Sequence, residues 1–246
     1  MNQLKHKQVR IGMLTPSSNT VVEPWCFKII SSLEDTSVHF GRVEVLWIDD
    51  KVASFSQFYD ENMLKGFDLL SHVKPNVIGW NGTSASWLGV DRDRLLVKEI
   101  TRRTGCPAVT STLSIIEALR ALRIKKIGLV TPYVKTIQEL IINNLSLEKF
   151  ECISERHFGL TDNYSFGEVS TDRIASAAEE VVSDGAEAVI ILCTNLAGAG
   201  VAARVEGKTG IPVFDSVVLT LWGALRSVGI KTSSLERWAP AVSKIR

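Results

Sequence analysis

The segment IGMLTPSSNT at residues 11–20 decides the fold, because it returns in the second half of the chain as IGLVTPYVKT at residues 127–136. In both copies, a short apolar run ends in a polar turn that begins with Thr-Pro. This pattern predicts a buried strand followed by the loop at its carboxyl end.

Two further segments recur in the same order along the chain. VIGWNGTS at residues 77–84 returns as VIILCTN at residues 189–195, and TGCPAVTS at residues 104–111 returns as TGIPVFDS at residues 209–216. Three repeats in one order predict a duplicated half-domain.

The two copies of the second repeat differ at one reactive position. Alignment of Thr83-Ser84 with Thr194-Asn195 places Gly82 opposite Cys193. One half therefore offers a thiol where the other half offers no side chain.

Short apolar runs alternate with longer helical patterns in both halves. This alternation predicts an α/β fold of two pseudo-symmetric lobes, each a parallel sheet flanked by helices. We expect the first lobe to span residues 1–116 and the second to span residues 117–216. Helical patterns at 113–122 and 217–228 follow equivalent strands, so each is expected to cross between the lobes. The C-terminal segment, residues 217–246, is then expected to pack on the first lobe.

The other predicted strands are 9–14, 38–48, 77–80, 108–109, 126–130, 150–156, 188–192 and 213–214, and the other predicted helices are 22–33, 57–72, 94–104, 136–147, 172–184 and 200–209.

Composition excludes several classes of function. A hydrophobic share of 45% and a charged share of 22% are typical of a globular protein with ample core. The net charge of +1, without a basic run, argues against nucleic acid or a membrane surface as partner. The four histidines have no metal-ligand spacing with cysteine or carboxylate, so no metal is expected.

The cysteines and the N-terminus indicate a cytoplasmic protein with reduced thiols. The four cysteines are widely spaced and form no CxxC pair. Residues 1–10 are polar and basic, without the apolar stretch of a signal peptide. The pattern leaves open whether the chain forms a homo-oligomer.

Ligands of open parallel sheets bind beyond the carboxyl ends of the strands. Several polar loops follow the predicted strands, and they would converge on one cleft if the lobes face each other. Such loops suit the binding of carboxylate oxygens and the stabilisation of negative charge that develops on them. The candidate residues in these loops are Pro16, Ser17, Asn19, Gly82, Thr83, Ser84, Tyr133, Cys193, Thr194 and Asn195.

Five ordered motifs resemble those of a known family: TPSSNTVVEP from residue 15, the turns 81–84 and 131–133, Asp162-Asn163, and Cys193-Thr194-Asn195. Over nearly the whole chain they resemble the maleate isomerase and arylmalonate decarboxylase branch of the aspartate/glutamate racemase superfamily. The resemblance implies two Rossmann-like lobes with the active site in the cleft between them. It also implies chemistry without a cofactor on a small carboxylate or dicarboxylate.

Within this family, the residue at position 82 distinguishes two types of enzyme. Racemases and maleate isomerases of this superfamily use two facing cysteines, whereas arylmalonate decarboxylase has glycine at the first position. The resemblance therefore implies that Cys193 is the catalytic residue. By the same comparison, Thr83, Ser84 and Tyr133 would bind the carboxylate that becomes an enediolate. The resemblance also makes Asn163 a candidate for substrate binding.

One thiol suffices for decarboxylation of a substituted malonate, in which Cys193 protonates the enediolate. A thiol with a pKa near the working pH, tuned by a following helix N-terminus, would suit this role. Two alternatives stay open. One is a maleate isomerase-like enzyme or racemase whose second acid/base is not cysteine. The other is a carboxylate-binding protein without catalysis.

Some candidates also have purely structural interpretations. Asn19 could cap a helix instead of binding a carboxylate, and Asn163 could belong to an ordinary turn. Ser17 and Ser18 read as one ligand contact and one cap, in an order that the sequence does not assign. Trp80 and Trp87 flank the glycine turn and could form the wall of an apolar pocket, although core packing is the preferred interpretation of Trp80.

Overall fold

The computed structural model describes residues 8–58 and 61–245. Residues 1–7, 59–60 and 246 lie outside the described residues. They include the N-terminal start, two positions of the predicted helix 57–72 and the last position of the predicted C-terminal segment.

The described strands are β1 (Val9–Pro16), β2 (Thr36–Val43), β3 (Val77–Trp80), β4 (Ala108–Thr110), β5 (Lys126–Thr131), β6 (Glu151–His157), β7 (Ala188–Ile191) and β8 (Val213–Asp215). The described α-helices are α1 (Val22–Ile30), α2 (Val52–Ser56), α3 (Glu61–Ser71), α4 (Ala85–Leu88), α5 (Val90–Thr104), α6 (Ser111–Ala121), α7 (Lys135–Leu147), α8 (Asn163–Phe166), α9 (Thr171–Ser183), α10 (Ala199–Thr209), α11 (Ser216–Ser227) and α12 (Pro240–Ser243).

The strands form two parallel four-stranded sheets with the same topology. The first has the order β2-β1-β3-β4 and the second has the order β6-β5-β7-β8. The two strands at the centre of each sheet are buried almost throughout, which explains their continuous apolar runs. The predicted α/β fold class is confirmed.

Strand register also establishes which residues of the two lobes are equivalent. Gly12 of β1 is aligned with Ile78 of β3, and Gly128 of β5 is aligned with Val189 of β7. Two strand positions later the same register pairs Leu14 with Trp80 and Val130 with Ile191. Trp80 is therefore equivalent to Ile191, and two positions further on Gly82 is equivalent to Cys193.

The repeat that begins Thr-Gly marks the same helix ending in both lobes. Helices α5 and α10 are each followed by a capping glycine, Gly105 and Gly210, with φ angles of 68° and 73°. Glycine is favoured in this left-handed conformation because it has no Cβ to clash. In each lobe, the threonine before the glycine accepts a hydrogen bond from the N–H of the residue after the glycine.

The segment after β2 departs from the sequence prediction. The predicted strand 38–48 ends at Val43, because residues 46–48 leave the sheet and reach the second lobe. There, the Ile48 N–H donates to the Thr161 carbonyl at 2.8 Å, and the Asn163 N–H donates to the Leu46 carbonyl at 2.9 Å. This segment spans one side of the cleft.

Helix α11 packs on the first lobe, against α1, β3, β4 and α6. The hydroxyls of Ser111 and Thr220, 2.7 Å apart, join α6 to α11. Helix α6, which we expected to cross in the opposite direction, instead packs against β4 and α5 of its own lobe. In the ranges that the structure describes, no helix is long and apolar enough to span a bilayer.

Candidate active site

A small cavity lies between the lobes, at the carboxyl ends of β1, β3, β5 and β7. In each sheet the strand order reverses between the two central strands, and such switch points are where open α/β sheets bind ligands. The cavity is lined by Pro16, Ile48, Phe58, Trp80, Gly82, Thr83, Ser84, Trp87, Tyr133, Asn163, Cys193 and Thr194. These described lining residues include no Asp, Glu, Lys, Arg or His.

Hydroxyl groups from both lobes meet in the cavity. The Thr83 hydroxyl lies 3.1 Å from the Tyr133 hydroxyl, and both side chains are buried. Burial and the neighbouring Cys193 raise the pKa of Tyr133 well above its usual value. The phenol therefore keeps its proton at neutral pH and can act as a hydrogen-bond donor.

Cys193 is 3% exposed and sits immediately beyond β7. The Asn195 N–H donates to its sulfur at 3.3 Å. Burial raises the pKa of the Cys193 thiol to about 11, even though Tyr133 and the following N–H groups act to lower it. Our expectation of a pKa near the working pH is therefore wrong, because desolvation outweighs the local donors. The thiol is protonated at neutral pH.

The residues that follow Cys193 join the two lobes. Thr194 donates its hydroxyl to the Asn81 carbonyl at 3.1 Å. The Asn195 side chain accepts from the Thr20 N–H at 2.9 Å and donates to the Asn163 carbonyl at 2.5 Å. These bonds fix the position of the thiol relative to the first lobe.

Three candidate residues do not line the cavity: Ser17, Asn19 and Asn195. The Asn19 side chain accepts from the N–H groups of Val21 and Val22, at the start of α1, as the capping interpretation predicts. Ser17 accepts from the Val45 N–H at 3.3 Å. In the structure all three side chains hold backbone that frames the cavity.

The sequence prediction missed part of the apolar wall. Ile48 and Phe58 come from the segment after β2, whose course no local pattern reveals. Trp80, interpreted as core, is fully buried but also lines the cavity. An aromatic chain continues along this wall. Its ring centroids are 6.5 Å apart for Phe58–Trp80, 5.9 Å for Phe58–Trp87, 5.0 Å for Trp87–Tyr133 and 5.5 Å for Tyr133–Phe166. Trp80 and Trp87, which flank the glycine turn, are the part of this wall that the sequence indicates.

Among residues 8–58 and 61–245, no three His, Cys, Asp or Glu side chains are grouped to hold a metal ion.

Comparison with known proteins gives consistent matches. A model of the arylmalonate decarboxylase family matches residues 53–237, about three quarters of the chain. Maleate isomerase of Pseudomonas putida is 24% identical over 235 residues, which cover 90% of this chain and 92% of that protein. Arylmalonate decarboxylase of Bordetella bronchiseptica is 26% identical over 157 residues, which cover 62% of this chain and 65% of that protein.

A solved structure shows the same fold. It is a variant of Nocardia farcinica maleate cis-trans isomerase with a covalently bound succinylcysteine intermediate. It matches with a TM-score of 0.85 and 20% identity, and the match covers 95% of this chain and 96% of that one.

Proposed function

The chain belongs to the arylmalonate decarboxylase family, and we propose that it decarboxylates a substituted malonate through an enediolate that Cys193 protonates. Its relatives are enzymes, and this chain is an enzyme of the decarboxylase or isomerase type. The observation that carries the proposed decarboxylation is the strand register, which makes Gly82 the equivalent of Cys193.

The protonation state of the thiol favours a role as acid. Addition of cysteine to a double bond requires a thiolate, and removal of an α-proton requires a base. Burial keeps the Cys193 thiol protonated at neutral pH, with a pKa of about 11. A protonated thiol is the form that donates a proton to carbon.

The polar part of the cavity suits the charge that the reaction creates. When the C–C bond to the leaving carboxylate breaks, its electron pair moves into the enediolate, whose oxygens gain negative charge. The hydroxyls of Thr83 and Tyr133 lie where they could donate to those oxygens, beside Ser84. One such donor is typically worth about 3–4 kcal/mol of barrier.

The apolar part of the cavity suits the group that leaves. The side chains of Ile48 and Phe58 offer no hydrogen bond to a carboxylate that lies against them. A desolvated carboxylate is destabilised relative to neutral CO₂, so this wall favours loss of CO₂. Cys193 then transfers its proton to the α-carbon, and the resulting thiolate takes a proton from water. These reaction steps need no cofactor, and their substrate is a small carboxylate.

A maleate isomerase-like activity is the second candidate. The observation in its favour is coverage, because the Pseudomonas putida maleate isomerase matches 90% of this chain and the Bordetella decarboxylase matches 62%. The equivalence of Gly82 and Cys193 argues against it, since the partner thiol of such an enzyme has no counterpart here.

The test is turnover of a panel of substituted malonates and of maleate in D₂O. We expect release of CO₂ and one deuterium at the new C–H bond of the product. Cys193→Ser should lower kcat by roughly 10²–10⁴-fold, the usual contribution of a general acid.

Cys152→Ser is the matched control, because Cys152 lies on β6 and does not line the cavity. This variant should keep wild-type turnover. Undiminished turnover by Cys193→Ser would remove Cys193 from the mechanism. Conversion of maleate to fumarate without decarboxylation of any malonate would replace the decarboxylase by the isomerase.

A further inference from the structure

The space beside Gly82 is occupied by the indole of Trp80. A Cβ atom built on Gly82 would lie 2.4 Å from Cζ2, 2.5 Å from Cε2 and 2.9 Å from Nε1 of Trp80. Carbon atoms in contact are normally about 3.5–4.0 Å apart. Even the smallest side chain at position 82 therefore overlaps the indole.

The indole is held in place on several sides. Trp80 is fully buried, and its Nε1–H donates to the Ser84 hydroxyl at 3.3 Å. Its ring packs edge-on against Phe58. Its backbone is fixed in β3 between Leu14 and Thr110. A rotation that freed the space at position 82 would break this hydrogen bond and the packing around it.

The second lobe has room at the equivalent place. There the residue equivalent to Trp80 is Ile191, whose side chain is smaller, and Cys193 occupies the position of Gly82. In the first lobe, a large residue lies two positions before a glycine. In the second lobe, a smaller residue lies two positions before a cysteine.

We propose that Trp80 is a specificity-determining residue, whose indole fills the place of a first-lobe acid/base and confines proton delivery to the side of Cys193. The inference rests on the proposed function for its consequence in catalysis. With one face of the enediolate covered by an indole that has no proton to give to carbon, the product forms as a single enantiomer.

The steric part is tested without any turnover, by a thermal unfolding cycle. Gly82→Ala should lower Tm by several degrees in the wild-type background, and by clearly less when Trp80→Leu is already present. Gly207→Ala is the matched control, because a Cβ at Gly207 meets no atom within 4 Å. Equal effects of Gly82→Ala in both backgrounds would overturn the proposal. If Trp80→Leu does not fold, Trp80→Phe serves as the background, and the same comparison decides.

The catalytic part is tested by the configuration of the product. Gly82→Cys alone should leave the product a single enantiomer, because the new thiol cannot take its place beside the indole. Trp80→Leu combined with Gly82→Cys should lower the enantiomeric excess and exchange the α-proton of either enantiomer of the product. A racemic product from Gly82→Cys alone would overturn the proposal.

The two failures are distinguishable. If the wild type releases no CO₂ from any malonate, the proposed function fails. The coupling between positions 80 and 82 in the Tm cycle then still decides whether Trp80 excludes a side chain from position 82.

Discussion

The two lobes place the same backbone around the cleft and different side chains at its most reactive point. After β3 the chain reads Trp80-Asn81-Gly82, and after β7 it reads Ile191-Leu192-Cys193. The backbone N–H of Asn81 donates to Leu14, and the equivalent N–H of Leu192 donates to Val130, at 2.8 and 2.9 Å. The duplication therefore supplies two loops with the same backbone course. The side chains of these loops, a large indole in one and a thiol in the other, determine which loop can donate a proton.

A second difference lies at the caps of α6 and α11. Thr110 caps α6 through its hydroxyl, which accepts from the Leu113 N–H at 3.1 Å. The equivalent Asp215 caps α11 through Oδ1, which accepts from the Val217 and Val218 N–H groups. Among the described residues, Oδ2 of Asp215 has no hydrogen-bond partner. The second lobe therefore carries a buried carboxyl where the first carries a neutral hydroxyl.

The largest expected effect comes from moving the thiol to the first lobe. Gly82→Cys combined with Cys193→Ser should lower kcat at least about 10³-fold, as expected when a general acid is lost and not replaced. The reason is that the Trp80 indole occupies the space beside position 82. Steady-state decarboxylation measures the effect, with Cys193→Ser as reference. Activity within tenfold of wild type would show that the first lobe can hold a working acid.

The cap comparison predicts a pH dependence of stability. Burial raises the pKa of Asp215 from 3.8 to about 7, although its two N–H donors act to lower it. Such a rise corresponds to about 4 kcal/mol. Since the folded state holds the proton more tightly, this contribution to stability is present below about pH 4 and is lost as pH rises to about 7.

Asp215→Asn should remove that loss of stability, because an amide does not ionise in this pH range. The amide oxygen still caps α11. Urea unfolding at pH 4 and pH 7 should show the variant gaining on wild type at the higher pH. Thr110→Ala is the neutral control, which should cost about 1 kcal/mol at both pH values. An Asp215→Asn difference that does not change with pH would contradict the buried carboxyl as the cause.

The hydroxyls that face the thiol give the next prediction. Tyr133→Phe should lower kcat about 10²–10³-fold, the usual cost of one oxyanion donor. Tyr164→Phe is the control, because Tyr164 is 53% exposed and does not line the cavity. A Tyr133→Phe variant that changes KM but leaves kcat intact would show that the phenol binds substrate without stabilising charge.

The smallest effect concerns the equivalent glycines of β1 and β5. A Cβ at Gly128 would lie 1.9 Å from the Val181 side chain, whereas a Cβ at Gly12 would meet its neighbours at 3.5 Å or more. Gly128→Ala should therefore cost about 1–3 kcal/mol of unfolding free energy, as overpacking usually does. Gly12→Ala should cost less. Equal costs in urea unfolding would show that the helix packing of the two sheets is the same.

Much of the fold could be predicted from the sequence, because the same strands, turns and helix ends recur in both lobes. The predicted helices 94–104 and 200–209 end at the same residues as α5 and α10, and the strand repeats predict the central strands. The course of residues 44–51 was not readable, since their partners Thr161 and Asn163 lie in the other lobe. Contacts between distant segments leave no local periodicity.

The candidate site was predictable in its polar part and, within its apolar wall, at Trp80 and Trp87. Thr83, Tyr133 and Cys193 follow strand ends, and a rule of sheet topology brings them together. The pKa of Cys193 depends on burial by both lobes, and the obstruction by Trp80 depends on the direction of one side chain. Neither is encoded in the spacing of residues.

Protonation of the enediolate by Cys193 from one side is tested best by the configuration of the product in D₂O. A prochiral substituted malonate is the substrate, and chiral chromatography with mass analysis is the readout. The expected product is one enantiomer that carries one deuterium at the α-carbon. A racemic deuterated product would contradict it, because protons would then reach both faces of the enediolate.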